Sequence, residues 1–310
     1  MKIQSNLKSQ ILKRFLTGVL AGVAALPSAS ALTIRHDRST RLYEDFGRFS
    51  RFDGSCVISR RNNPDIGIAS STCFDDNWVI LARHTLRNVE NYTRNNNDLA
   101  QIRPRNWQSG LARHQSNDRR VRVDQITYFD DDFSSFTSAI DIAVAASRFN
   151  IQPIRRAVLH SRWDEQGRVC DAASGANNRT DGNGNSRKTE NRNTTRSPDP
   201  NNVRWGGQNR VDRLSARVNA GARILEYDFD GSRGSDPNRY GSATPMNREN
   251  ATAGGDSGSP IYVANGSTPN SIAGVLSGGV GGGRYGASAV YPRVRFYRTW
   301  VFDTLRDSQY

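Results

Sequence analysis

The chain has 310 residues, with 43 basic side chains against 30 acidic ones and a net charge of +13. That length allows one large domain or two small ones sharing an interface. The basic excess comes without a nucleic-acid-binding motif, so it reads as a solvated surface and no nucleic-acid partner is expected. Cys56, Cys73 and Cys170 are too few for a disulfide scaffold and default to buried structural thiols.

Lys2, Lys8, Lys13 and Arg14 make a basic start, followed by the apolar run Phe15–Leu26, then Pro27 and the small residues Ala29-Ser30-Ala31. This is the layout of an export signal covering residues 1–31, with a mature chain beginning near Leu32 and a secreted or periplasmic location. The apolar run falls short of the roughly 20 residues that a spanning helix needs, and no later stretch is longer, so no membrane span is expected. Ser39–Phe49 carries an amphipathic helix signal. Short apolar stretches split by turn residues follow: Ser55–Ser59, Ile66–Phe74, Trp78–Ala82, Val121–Tyr128, Ile142–Ala146, Ile224–Phe229, Pro260–Val263 and Ile272–Ser277. They predict an all-β protein. Between them, 171–210 is dense in Asn, Gly, Ser, Thr and Arg and predicts a long loop, which divides a leading half (about 45–160) from a trailing half (about 211–295). Asn91, Asn178, Asn193, Asn250 and Asn265 stand in sequons. The end, about 296–306, places Phe296, Trp300, Val301 and Leu305 on one helix face.

Chemistry concentrates at three places. Gly254-Gly255-Asp256-Ser257-Gly258-Ser259-Pro260 presents a serine among glycines, and the strand Ile261-Tyr262-Val263 follows. Serine is a weak nucleophile until a base takes its proton, and glycines permit a tight turn whose N–H groups hold an oxyanion. His84 closes the apolar strand Trp78–Ala82, where an imidazole is held rigidly and can exchange a proton near neutrality. Asp141 stands among apolar neighbours in Ala139-Ile140-Asp141-Ile142-Ala143, and an acid in such a setting asks for a partner. The run Asp130-Asp131-Asp132 is the weaker candidate, since clustered like charges are normally solvated.

The segments WVILARH, DIAV and GDSGSP, in that order, resemble the trypsin/chymotrypsin-like serine proteases, as does the ending AGVLSGG…YGASAVYPRVRFYRTWV. The resemblance covers about 50–305, apart from the Asn-rich stretch. It implies two six-stranded antiparallel β-barrels with the site between them and a C-terminal helix. It also implies a catalytic triad of His84, Asp141 and Ser257 and an oxyanion hole from the N–H groups of Gly255 and Ser257. Ala251 would form the base of the substrate pocket and Gly279 and Ala289 its walls, giving cleavage after uncharged residues; a two-residue shift in alignment would put Glu249 there instead. The expected partners are polypeptide substrates, the expected state a monomer, and neither cofactor nor metal is required. Cys56 and Cys73 would lie on adjacent strands of the first barrel, where a disulfide between them, leaving Cys170 free, stands beside three reduced thiols as an alternative. Arg83, Thr85 and Ser259 depart from the family pattern, and no Ile-Val-Gly-Gly start is present near Leu32-Thr33-Ile34-Arg35-His36-Asp37. A catalytically silent binding or adhesion protein on the same fold is the alternative function. An α/β-hydrolase esterase is contradicted by the order of the three residues.

Overall fold

The computed structural model describes residues 32–60, 67–87, 100–104, 120–129, 141–151, 155–174, 178–180, 186–188, 205–215, 223–252, 256–263 and 271–308. Residues 1–31, where an export signal is expected, the Asp130–Asp132 run, Gly255 and most of the Asn-rich stretch lie outside the described residues, as do sequons Asn91, Asn193 and Asn265.

The leading half opens with β1 (Leu32–Ile34) and α1 (Thr40–Gly47), whose cap Ser39 accepts the Arg41 N–H at 3.3 Å. β2 (Ser55–Arg60), β3 (Gly67–Cys73), β4 (Trp78–Leu81), β5 (Ala100–Pro104), β6 (Val121–Arg122), β7 (Gln125–Tyr128) and β8 (Ala143–Ala146) then form a seven-stranded antiparallel sheet. Its order is β6-β5-β2-β3-β4-β8-β7. The two edge strands are one stretch of chain parted by Val123 and Asp124. The Val123 N–H reaches the Ala100 carbonyl at 3.0 Å and the Asp124 N–H reaches the Ala146 carbonyl at 2.8 Å, so this one segment borders both edges of a curled sheet. Both faces are apolar along the central strands. Val79, Leu81, Ala143 and Ala145 point into the curl with Ile58, Ile102 and Val121, while Trp78, Ile80, Val144 and Ala146 face the other way. This two-residue alternation follows from the strand pleat.

The rest of the described chain contains β9 (Val158–Leu159), β10 (Val169–Ser174), β11 (Asn178–Thr180), β12 (Ser186–Lys188), β13 (Trp205–Arg210), β14 (Arg213–Ser215) and β15 (Ile224–Asp228). β16 (Asn250–Thr252), β17 (Pro260–Val263), β18 (Ser271–Val275), β19 (Gly278–Val280), β20 (Ser288–Pro292) and the closing helix α2 (Val294–Asp307) complete it. Two sheets share continuous chain: β13-β10-β17-β18-β9 and β14-β15-β20-β19, with β13 running into β14 and β18 into β19. A third sheet, β12-β11-β1-β16, holds the leading strand β1 against β16. α2 inserts Val294, Tyr297 and Val301 into the same apolar cluster as Trp78, Ile80, Tyr262 and Ile272, so one core joins the two halves. The Phe129 ring meets Tyr297 edge-on at 4.8 Å and Trp300 at 5.4 Å.

The protein is therefore mostly β with a C-terminal helix, and its ladders are open sheets and not closed barrels. The expected loop 171–210 is shorter than its composition implied. β10 and β13 pair from Val169↔Arg210 to Ser174↔Trp205, so strands occupy both ends of it. All three cysteines are free and buried, and the Cys56–Cys73 disulfide is not formed. Cys56 pairs across the ladder with Ser71, which sets it diagonal to Cys73. The Cys73 thiol donates to the Asp75 carbonyl at 2.8 Å, and contact with Cys56 and burial push its pKa up. Asn250 is wholly buried, which removes that sequon as an acceptor.

Candidate active site

β4 delivers the chain to Ala82, after which residues 83–87 make a helical turn, so His84 lies within that turn, three residues past the strand that was expected to end on it. The Thr85 N–H and hydroxyl both donate to the Ala82 carbonyl, at 3.3 and 2.6 Å, and fix the start of that turn. Asp141 enters from the segment before β8, which lies beside β4 in register Leu81↔Ala143. Neighbouring strands thus bring together two residues that are 57 apart in sequence. The Asp141 carboxylate is fully buried, and one oxygen accepts the His84 backbone N–H at 2.8 Å while the other meets His84 Nδ1 at 2.7 Å. A carboxylate only accepts, so Nδ1 carries the proton and Nε2 keeps its lone pair. The same Asp141 oxygen accepts the Ser277 hydroxyl at 2.5 Å, a contact that sequence reasoning did not find. Three donors satisfy an acid that has no cationic side chain beside it in these contacts, which offsets the cost of burying it.

Ser257 occupies a tight turn closed by the Ser259 N–H on the Asp256 carbonyl at 2.8 Å. Gly258, the third residue of that turn, has φ +89, and a Cβ there would lie 2.0 Å from the Ser70 carbonyl oxygen. Glycine is required at this place on both counts. The turn is pinned from both halves. The Ser70 N–H donates to the Ser257 carbonyl at 3.1 Å, and the Gly258 N–H donates to Leu276 at 2.8 Å. Leu276 precedes Ser277, so the serine turn and the His84–Asp141 pair are fastened to adjacent residues of one strand connection.

A pocket of ≈ 210 Å³ opens beside Ser257, lined among others by Tyr227, Ala251, Thr252, Gly279 and Ala289. The three positions expected to form the substrate pocket are thus gathered on one cavity. Glu249, the alternative for the pocket base, is not among the lining residues; its carboxylate accepts the Met246 N–H at 2.6 Å, and burial raises its pKa well above the usual range. A Cβ on Gly279 would lie 2.3 Å from the Ser288 carbonyl oxygen, so the close spacing of β19 and β20 that forms this wall depends on glycine. Of the expected oxyanion-hole donors, Ser257 is placed here and Gly255 lies outside the described residues.

Among the described residues, His160, Asp164 and Glu165 are of metal-ligating types, and their ligand atoms lie within 4.8 Å of one another. These groups already have partners. His160 meets Ser271 Oγ at 3.0 Å and Asp164 at 3.2 Å, Arg168 holds Asp164 at 2.5 Å, and Arg293 holds both Glu165 oxygens. Two guanidinium groups on two carboxylates leave no net negative charge to attract a cation.

No protein-family model matches the chain, and no curated protein does. The functional reading therefore rests on the residues and their geometry.

Proposed function

We propose that this protein is an exported serine endopeptidase of the trypsin/chymotrypsin type, processed by removal of residues 1–31, which hydrolyses polypeptides through an acyl-enzyme. The observation that carries the reading is the buried Asp141 carboxylate bonded to both the backbone and Nδ1 of His84 and to Ser277, whose neighbour Leu276 holds the Ser257 turn. His84 Nε2 removes the Ser257 proton as Oγ attacks the scissile carbonyl carbon, and Asp141 stabilises the imidazolium that results. The N–H groups of Ser257 and Gly255 take the oxyanion. His84 then returns the proton to the leaving amine, and water repeats the sequence to release the acid product. The pocket lining of Ala251, Gly279 and Ala289 carries no charge that could offset desolvation of a substrate cation, so cleavage follows uncharged side chains.

The same reading includes two six-stranded barrels with the site between them. Supporting it, the leading sheet returns to its own starting segment after six stretches of chain: Val121–Tyr128, β5, β2, β3, β4 and β8. The trailing half closes a similar circuit through β13/β14, β10, β17, β18/β19, β20 and β15.

The test is labelling with a fluorophosphonate, which reacts only with an activated serine. Wild type is expected to label at Ser257, and Ser257→Ala to abolish both labelling and peptide hydrolysis, a loss of about 10⁶ in rate. A folded wild type that does not label would instead indicate a silent binding or adhesion protein. Retention of more than a few per cent of activity in Ser257→Ala would remove Ser257 from its role.

A further inference from the structure

The strand that floors the pocket has an unusual support. β16 contributes Ala251 and Thr252 to the pocket lining, yet its ladder neighbour among the described residues is β1 alone. The register is Leu32↔Thr252, Thr33↔Ala251 and Ile34↔Asn250, and all three β1 residues are buried. Leu32 and Ile34 are anchored on the far side by Tyr43, Ala172 and Trp205. The residues after β1 continue to grip the same loop. Arg35, itself buried, donates through one guanidinium nitrogen to the Met246 carbonyl at 2.9 Å, while Asp37 holds its other two nitrogens at 2.9 and 2.6 Å. His36 Nδ1 meets Tyr285 Oη at 2.7 Å, and Tyr285 packs with Phe229 against Ala251 from beneath. Tyr43 Oη donates to the Glu249 carbonyl at 2.9 Å. The span 32–43 therefore touches 246–252 at Met246, Glu249 and the whole of β16, and reaches Ala251 again through Tyr285.

We propose that 32–43 is a positioning strap for the substrate pocket, in which β1, Arg35 and His36 hold Ala251 and Thr252 where the side chain before the scissile bond must fit. The proposal rests on the serine-protease reading above. Added backbone pairing aligns a strand as β-augmentation does, and misplacement of a binding surface by about 1 Å can cost on the order of 10²-fold in rate. The contacts just described fall on the pocket side of the fold at Met246, Glu249, β16 and Tyr285, not on Ser257, His84 or Asp141. Loosening the strap should therefore act on substrates that fill the pocket and spare those that do not.

The experiment compares full-length wild type, Arg35→Met and His36→Ala on two peptides, one with a large uncharged residue before the bond and one with glycine there. Arg35→Met is expected to raise KM for the first at least tenfold, and His36→Ala about threefold. For both variants, hydrolysis of the glycine peptide and the fluorophosphonate labelling rate should stay within twofold of wild type. Arg35→Lys, which keeps a donor for the Met246 carbonyl, should recover part of the loss. Equal losses on both peptides, or KM unchanged in folded variants, would overturn the strap. If Arg35→Met does not fold, His36→Ala decides alone. A wild type that fails to label would overturn the protease reading and is distinct from either result.

Discussion

Asp141 is the residue on which the candidate site turns, because it fixes the His84 tautomer and receives a third hydrogen bond from Ser277. Replacing it with Asn offers His84 Nδ1 a donor where it now meets an acceptor, which favours the wrong tautomer. Asp141→Asn should lower kcat by about 10⁴ with the fold intact, measured by steady-state hydrolysis beside the far-ultraviolet spectrum. Ser277 acts one step back. Its hydroxyl bond to a charged group is worth about 1.5–3 kcal/mol, so Ser277→Ala should lower kcat roughly 10- to 100-fold. KM should hold, since Ser277 is not among the pocket-lining residues. A fall in kcat below threefold would show that two His84 bonds suffice to orient Asp141. The three central residues were legible in the sequence because each stands in a distinctive local setting: a serine among glycines, a histidine just past an apolar strand, an acid among apolar neighbours. Ser277 was not, for a serine in Leu276-Ser277-Gly278 has no local mark, and its partner is 136 positions away. Ala251, Gly279 and Ala289 were reached only through the family resemblance.

At the level of elements, the strands that could be read are those with continuous or alternating apolar residues, such as Trp78–Leu81 and Ile224–Asp228. Those that escaped have other tasks. β13 reads Trp-Gly-Gly-Gln-Asn-Arg because α1 and β16 press against it: a Cβ on Gly206 would meet the Gly47 nitrogen at 2.9 Å, and one on Gly207 the Asn250 side chain at 2.6 Å. Close approach selected glycine and erased the strand signature, so composition alone read this end of the stretch as loop. The entry to α2 shows a different device. Arg293 precedes the helix with its guanidinium buried, bonded to both oxygens of the buried Glu165 and lying 4.7 Å from the centre of the Trp163 ring. Removing one partner strands the other charge in a dry environment, so Glu165→Ala should cost about 3–5 kcal/mol in urea unfolding. Arg293→Met combined with Glu165→Leu should be far milder than that single change, because it removes both charges and keeps much of the volume. A double variant as unstable as Glu165→Ala would mean that packing around Trp163, and not the uncompensated charge, sets the cost.

Across the whole molecule the basic excess conceals a cluster of buried and half-buried acids around the loop after β15. Asp212, Asp228, Asp230 and Glu249 lie close enough to perturb one another, with Arg35 the cation that acts on Asp230. Asp228 accepts the N–H groups of Arg239 and Tyr240 and so ties down the loop after β15, while the Asp212 carboxylate accepts the Asp228 N–H at 3.3 Å. Desolvation, with repulsion from Asp228, raises the pKa of Asp212 to about 7, and the same two causes raise Asp230 to about 7 from an ordinary value of 3.8. The folded state thus binds these protons more tightly than the unfolded chain does. The stability they contribute is complete below about pH 4 and is lost as pH rises through about 7, where both states become ionised and the folded one retains the repulsion. The melting temperature should fall by several degrees between pH 5 and pH 8 at constant ionic strength, on the scale by which about 1 kcal/mol shifts the midpoint of a domain this large. Asp230→Asn removes one of the titrating charges, so it should flatten that slope and raise the melting temperature at pH 8 more than at pH 5. The high net positive charge predicts the opposite trend, since its self-repulsion grows on acidification. If the melting temperature rises from pH 5 to pH 8 and Asp230→Asn leaves the slope unchanged, surface charge governs the response and the clustered acids do not.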